Sequence, residues 1–238
     1  MSQAIFIIDK NWKNVNVICP FLRREDVLTS SFLVPIVIGR GDDDMEIEFD
    51  ILDLLQKLHT PIRDQVMCAI TKLGNAGAIW IMLALILLLI PKTRRCGAVL
   101  TVALIINTIL CNGIIKPFVA RPRPCDVNMA IQLLIPRPSD WSFPSGHTSA
   151  AFASASALFF HACRSSSVAV SESRTAAKKF WKPVLVLAFL IAFSRLYLYV
   201  HYPTDVLGGM LLGCLSGYAG CRIIALWMER KQRKRFKT

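Results

Sequence analysis

Two histidines and one carboxylate have the residue types and spacing for group-transfer chemistry. His201 and Asp205 are four residues apart around Pro203, which is typical of the first turn of a helix, so both side chains are predicted to share one face. A carboxylate on one imidazole nitrogen fixes the tautomer and makes the other nitrogen a better nucleophile. His147 lies in a different segment and is free to act as the general acid for a leaving oxygen.

Three cations accompany these residues at the ends of apolar segments. Lys116 and Arg195 stand at the edges of such segments, where an unpaired charge is costly. Taken singly, Lys116 could snorkel to the interface and Arg123 could be solvated, whereas Arg195 is harder to explain in this way because it lies before the end of its predicted helix. Taken together, the three cations lie at the same end of the segments. A phosphoryl group bound there would offset the free-energy cost of the unpaired charges, and the cations would position it for transfer. Ser145 and Gly146 open the next apolar segment, and free N–H groups at a helix N-terminus would add to this anion site.

The same residues belong to a longer pattern. It is written K-x6-R-P, P-S-G-H and S-R-x5-H-x3-D, and all eleven specified positions occur in order between Lys116 and Asp205. The pattern resembles the type 2 phosphatidic acid phosphatase superfamily, which shares its site with the vanadium haloperoxidases, and eleven matches are far more specific than one short motif. The resemblance implies a helical bundle, a phosphohistidine intermediate, no metal and no cofactor. It implies His201 as nucleophile, Asp205 as its partner, His147 as general acid, and a phosphate site formed by Lys116, Arg123, Ser145, Gly146 and Arg195.

The elements that must position these residues are apolar helices. The chain has 238 residues, 54% of them hydrophobic, and they are concentrated in runs, as in a single membrane-embedded domain. The predicted fold class is all-α, an integral membrane helical bundle of about five transmembrane helices. The predicted spans are residues 75–91, 97–115, 147–163, 184–200 and 206–228. The third span is rich in Ala and Ser, which permits close packing and predicts a central position.

An amphipathic segment precedes the first span, within residues 45–74. Ile51, Leu54 and Leu58 repeat at helical spacing, and Thr60 followed by Pro61 is a start signal for a second helix. Each half is too short and too charged to span a bilayer, so the segment is predicted to form an interfacial helix pair. A sixth crossing hidden within this segment is the alternative.

The distribution of Lys and Arg predicts an orientation. The net charge is +12, and the basic residues cluster after the first span, between the third and fourth spans, and in the tail, residues 229–238. These clusters share one side of a five-span bundle, which the positive-inside rule assigns to the cytoplasm. The candidate site then faces outside the cytoplasm in a multi-pass cell-membrane protein. Because membrane topology accounts for the charge, no nucleic-acid partner is predicted.

Residues 1–44 fit neither of these patterns. They have mixed polarity and no clear period, and they end in Gly-Arg-Gly-Asp-Asp-Asp before Met45. Purine-rich codons for Arg-Gly would resemble a bacterial ribosome-binding site, so translation is hypothesised to start at Met45. The alternative is an ordinary N-terminal extension. The transmembrane domain itself is assigned to residues 75–228.

The motif and the spans together predict a membrane lipid phosphatase that resembles bacterial undecaprenyl-diphosphate phosphatases. The predicted partners are a lipid phosphate and the membrane, with undecaprenyl diphosphate favoured over phosphatidylglycerophosphate or phosphatidic acid as substrate. A non-catalytic lipid binder or transporter on the same scaffold is the alternative from another class. Loss of His147 or His201 would favour that alternative, and both are present. A haloperoxidase is disfavoured because those enzymes need no membrane, and the oligomeric state is left open.

Overall fold

The computed structural model describes residues 42–163 and 171–235, and every regular element in these ranges is a helix. The all-α prediction is therefore confirmed. Residues 1–41, which hold most of the predicted extension, and residues 236–238 of the tail lie outside the described ranges. In chain order the elements are α1 (Asp42–Gln56), α2 (Pro61–Leu73), a 3-10 turn (Asn75–Gly77), α3 (Ala78–Leu89), α4 (Arg94–Thr108), a π-helical segment (Ile109–Ile115), α5 (Lys116–Val119), α6 (Pro124–Val127), α7 (Gly146–Cys163), α8 (Ser171–Tyr197) and α9 (Pro203–Arg235).

Several described helices are long and apolar enough to cross a membrane. Three qualify alone, and a fourth arises if the helices on either side of the 3-10 turn, which are bent by 43°, form one broken span. Two of the five predicted spans therefore do not qualify by themselves. Helix α3 has 12 residues and is too short for a bilayer without α2. Helix α7 does not qualify because it is rich in Ala and Ser, and most of these small side chains are buried against other helices.

Helix α7 lies at the centre of the bundle and packs against α4, α8 and α9. It lies very close to α9 at two glycines, since an added Cβ would lie 2.4 Å from Ser149 O at Gly213 and 2.6 Å from Ala157 N at Gly217. Small residues on both helices let the two backbones touch. The same packing brings the beginning of α7 beside the beginning of α9, where Ser145 N donates to the Asp205 carbonyl oxygen at 3.0 Å. The central position predicted for this segment is confirmed.

The segment predicted to be an amphipathic helix pair contains two helices, α1 and α2, which both contact α8. Helix α1 begins at Asp42, slightly before the boundary predicted at residue 45. Thr60 caps α2, since its Oγ1 accepts a hydrogen bond from Arg63 N at 3.4 Å, and Pro61 is the first helical residue. Leu52 is buried against the bundle while apolar side chains such as Leu54 remain exposed, as expected of helices beside lipid.

Candidate active site

A cavity of ≈ 580 Å³ lies where the break between α2 and α3 meets the beginning of α7 and the end of α8. The structure brings predicted residues from four separate segments to this one cavity. Six of the eight predicted site residues line it: Lys116, Arg123, Gly146, His147, Arg195 and His201. The other two, Ser145 and Asp205, are fully buried behind its wall.

His201 lies in the turn between α8 and α9, outside the membrane-spanning helices. Its Nδ1 is 3.5 Å from Asp205 Oδ2, so the two side chains lie on the same side of the chain at the beginning of α9, as the spacing predicted. Burial, and then the nearby cations with Arg123 foremost, lower the pKa of His201 well below its ordinary value. The lowered pKa favours the neutral imidazole, the form that has a lone pair for attack.

The carboxylate of Asp205 is held by three donors. Tyr202 N donates to Oδ2 at 2.9 Å, the hydroxyl of Ser142 donates to the same oxygen, and Arg121 Nη1 donates to Oδ1 at 2.8 Å. Sequence reasoning missed both Arg121 and Ser142 as site residues. A signal for Arg121 is present in the repeated Arg-Pro of residues 121–124, but it does not indicate which of the two arginines faces the phosphate.

Two of the predicted phosphate ligands, Lys116 and Arg123, lie on one side of the cavity. Lys116 follows the π-helical segment, and helical irregularities of this kind often occur at functional sites. Arg123 Nη1 donates to the Val200 carbonyl oxygen at 2.7 Å and lies 3.1 Å from His201 Nε2. The guanidinium of Arg123 is thus fixed in direct contact with the imidazole.

Arg195 is the third cation and comes from the last turn of α8. It is 3% exposed and its Nη1 donates to Thr71 Oγ1 on α2. Its Nε is buried and has no hydrogen-bond partner among the described residues. A buried donor without a partner costs free energy, and an anion in the cavity would satisfy it.

Asp140 is a further site residue that sequence reasoning missed. Its side chain is 53% exposed, and its carboxylate pairs with Lys116 and with Arg123 Nη2, the latter at 2.6 Å. Burial alone would raise the pKa of Asp140, but the hydrogen bonds and charges of the two cations outweigh it and hold the pKa at about 2. Asp140 therefore occupies donors that a phosphate would also use.

His147 stands at the beginning of α7 on the wall opposite Arg123. Its Nε2 lies 3.0 Å from Asn75 Oδ1, in the break between α2 and α3. Gly74 in the same break packs against the imidazole, since a Cβ there would lie 2.8 Å from His147 Cδ2. Gly146 is open to the cavity, and a Cβ added to it would come no closer than 3.7 Å to Lys116 Nζ. Backbone at this helix N-terminus is accessible to a ligand.

Ser145 is placed differently from the other predicted ligands. It is fully buried, its N–H is committed to the Asp205 carbonyl oxygen, and its hydroxyl accepts from Thr148 Oγ1 at 2.9 Å. Its backbone donor ties α7 to α9 and does not point to the cavity.

This arrangement is suited to phosphoryl transfer. Three cations and a helix N-terminus surround a space large enough for a phosphoryl group, and one imidazole faces it through Nε2, which lies 3.1 Å from Arg123 Nη1. A second imidazole, His147, lies across the cavity where it can exchange a proton with a leaving oxygen or with water.

Known proteins share the sequence and the fold. Residues 96–232 match the PAP2 superfamily. The undecaprenyl-diphosphatase of Sulfolobus acidocaldarius is 28% identical over 183 residues, which cover 77% of this chain and 81% of that protein. The undecaprenyl-diphosphatase BcrC of Bacillus subtilis is 28% identical over 160 residues, covering 67% and 74%. A crystal structure of a transmembrane PAP2-type phosphatidylglycerolphosphate phosphatase from Bacillus subtilis superposes with a TM-score of 0.63 at 24% identity, over 86% of this chain and 94% of the other.

The family match spans more than half of the chain and includes both segments that carry His147 and His201. Both of these relatives are named as undecaprenyl-diphosphatases, and the apolar helices of this chain are those of a membrane protein. The chain therefore belongs to the PAP2 superfamily and is a membrane lipid phosphatase.

Proposed function

We propose that His201 Nε2 is the nucleophile and that Lys116, Arg123 and Arg195, with the backbone at Gly146, hold the phosphoryl group. The observation that carries this proposal is the contact between Arg123 Nη1 and His201 Nε2 at 3.1 Å. A group that binds a phosphoryl oxygen is thereby placed beside the atom that attacks phosphorus. Positioning of this kind accounts for most of the catalysis of phosphoryl transfer.

The reaction proceeds in two balanced steps. In the first, a bond forms between His201 Nε2 and phosphorus, the bond from phosphorus to the leaving oxygen breaks, and protonated His147 gives its proton to that oxygen. In the second, His147 takes a proton from water as the water oxygen bonds to phosphorus. The nitrogen–phosphorus bond breaks, its electron pair returns to Nε2, and inorganic phosphate leaves.

The favoured substrate is undecaprenyl diphosphate, which loses its terminal phosphate to become the monophosphate. Two relatives with that activity support the choice. An apolar groove of ≈ 390 Å³ between α3 and α4 adjoins the catalytic cavity and shares Ile81, Leu104 and Thr108 with it. A groove continuous with the phosphate site suits a lipid whose chain stays in the membrane while its head group reacts.

The site is proposed to face outside the cytoplasm, with the C-terminus inside. The support is the charge distribution, because basic residues at the end of α9 and at the beginning of α4 lie at the end of the bundle away from the cavity. A diphosphate carrier released at the outer face would then reach the site directly.

Purified protein assayed against undecaprenyl diphosphate, phosphatidylglycerophosphate and phosphatidic acid tests the substrate. We expect the highest kcat/KM with the isoprenoid, and overexpression in a bacterium should raise resistance to bacitracin, which sequesters the diphosphate. His201→Ala protein is the control in both assays. Unchanged resistance with turnover of a glycerolipid phosphate only would reject the isoprenoid.

Phosphatidylglycerophosphate is the second candidate substrate. It is supported by the fold shared with the phosphatidylglycerolphosphate phosphatase of Bacillus subtilis. Phosphatidic acid is the third.

A further inference from the structure

We infer that Glu48, on the amphipathic helix α1, and Arg121, in the turn after α5, are positioning residues that orient Asp205 and through it His201. The inference rests on the proposed role of His201. It makes α1 a part of the catalytic machinery as well as a helix beside lipid.

Arg121 holds the carboxylate of Asp205 by two routes. Its side chain donates from Nη1 to Asp205 Oδ1 at 2.8 Å. Its carbonyl oxygen accepts from Ser142 N at 2.9 Å, and the Ser142 hydroxyl donates to Asp205 Oδ2. Arg121 therefore contributes to the position of both carboxylate oxygens, directly at Oδ1 and through Ser142 at Oδ2, where Tyr202 N also donates.

The guanidinium of Arg121 is itself fixed on every side. Ala120 has a left-handed backbone with φ 47°, which ends α5 and turns the chain into the protein. The carbon of the guanidinium lies 3.9 Å from the centre of the Tyr202 ring, so the ring restricts the orientation of the guanidinium plane. Nη2 pairs with Glu48, and Nη1 also donates to Thr204 Oγ1 at 2.7 Å.

Glu48 closes the network from α1. Its Oε1 accepts from Thr204 N at 3.1 Å and from the Thr204 hydroxyl, so it caps the N-terminus of α9 one residue before Asp205. The exposed fraction is 7% for Glu48, 2% for Arg121 and 0% for Asp205. Buried charges of this kind are stable only when each has its partner.

The charges explain why Glu48 matters to His201. Two carboxylates share one guanidinium, so Asp205 retains negative charge that it can direct to the imidazole. Without the charge of Glu48, Arg121 would act on Asp205 alone and weaken the support that Asp205 gives to the imidazolium-like transition state.

Glu48→Gln keeps the size of the side chain and removes its charge. We expect kcat to fall about tenfold while KM changes less than about twofold, as for other residues that orient a reacting group from behind. Glu46→Gln is the matched control, since Glu46 lies on the same helix and is exposed. The control should retain full activity.

A double-mutant cycle separates positioning from general loss of structure. If Glu48 acts through Asp205, Glu48→Gln should lower kcat by less than about twofold when Asp205→Asn is already present. Both substitutions then act through the same group, so their effects on kcat are not additive. An undiminished tenfold loss in that background would reject the inference, as would full activity of the single variant. If Glu48→Gln protein cannot be purified, Arg121→Lys can replace it in the same double-mutant cycle with Asp205→Asn. Lysine keeps the positive charge but lacks the planar guanidinium that donates two hydrogen bonds at once.

Failure of this inference and failure of the proposed function give different results. If a phosphoenzyme forms without His201, the proposed nucleophile is rejected whatever Glu48 does. If His201 is required and Glu48→Gln matches Glu46→Gln, only the positioning network is rejected.

Discussion

Arg123 Nη1 lies 3.1 Å from His201 Nε2. A guanidinium can only donate hydrogen bonds, so Nε2 must be the acceptor and the ring proton must be on Nδ1. Nδ1 in turn faces Asp205 Oδ2 at 3.5 Å. The tautomer of His201 is thus set from both sides, and the lone pair is on the nitrogen that faces the cavity.

Replacement of each histidine should separate the two steps of the reaction. His201→Ala should abolish turnover and any acid-labile phosphoenzyme, because no nitrogen remains to form the bond to phosphorus. His147→Ala should slow turnover by about 10²–10⁴-fold and still form phosphoenzyme from a substrate with a good leaving group. Labelled phosphate retained on the protein after a rapid acid-free quench is the measurement. His59→Ala is the control, since His59 stacks on Tyr197 with ring centroids 4.2 Å apart and does not line the cavity.

The acid limb of the pH profile of kcat/KM should have a midpoint below the ordinary histidine pKa of about 6.5. Burial and the nearby cations lower the pKa of His201, so the free enzyme keeps a neutral imidazole as pH falls below the ordinary histidine value of about 6.5. We expect no loss of kcat/KM from protonation of His201 between about pH 8 and pH 6.5, because kcat/KM reports groups of the free enzyme. An acid limb of kcat/KM that has a midpoint at or above about 6.5 and persists in His147→Ala protein, which keeps residual activity, would contradict the assignment.

Catalysis should not require a divalent metal. Three cationic side chains and a helix N-terminus already face the phosphoryl group, and in the described part of the chain no group of three or more His, Cys, Asp or Glu side chains is arranged to hold a metal ion. We expect activity to persist in EDTA and to be inhibited by vanadate, which mimics the phosphoryl transition state. Activity that disappears in EDTA and returns with Mg²⁺ would count against the site.

Asp140→Asn should strengthen anion binding. The carboxylate competes with phosphate for Lys116 and Arg123, so its loss should lower the inhibition constant of vanadate by about two- to fivefold, the scale of a partly exposed ion pair. The factor should not vary across the assay range, because the pKa of Asp140 is about 2. Asp50→Asn, at an exposed position outside the cavity, is the control, and weaker vanadate binding in Asp140→Asn protein would show that Asp140 instead supports the anion site.

The same depressed pKa predicts a stability effect with a definite sign. The folded-state pKa of Asp140 is below the ordinary value of 3.8, so the stabilisation from its ion pairs is present above 3.8 and is lost as pH falls through about 2. Asp140→Asn should remove this contribution near neutral pH and leave stability at the acid end unchanged.

Gly217→Ala should destabilise the bundle. Its Cβ would meet Ser156 Oγ at 2.0 Å and Ala157 N at 2.6 Å, and backbone cannot move aside as a flexible side chain can. We expect a loss of about 1–3 kcal/mol in thermal unfolding in detergent. Gly113→Ala is the matched control, since nothing lies within 4 Å of a Cβ there. Equal melting temperatures for the two variants would show that α7 and α9 are not in close contact at this point.

Local patterns were sufficient to predict the type of fold and six residues that the structure brings to one cavity. Lys116, Arg123, His147, Arg195 and His201 each stand at the end of an apolar segment, and ends on the same side of a membrane bundle must meet at one level. The start of α2 at Thr60-Pro61 was also predictable, because capping depends on a few adjacent residues. A membrane restricts the possible arrangements of helices, so residues at the ends of apolar segments indicate which side chains can lie close together.

Contacts between distant segments could be known only from the folded chain. Glu48 is 156 positions from Thr204, and no periodicity connects them. Ser145 precedes a helix and was predicted to offer a free amide, but the packing of α7 on α9 directs that donor to Asp205. Asp140 stands in an irregular loop, where its pairing with the cations depends on the course of the loop. Side-chain burial and hydrogen-bond partners are properties of packing, and packing is decided by all the helices at once.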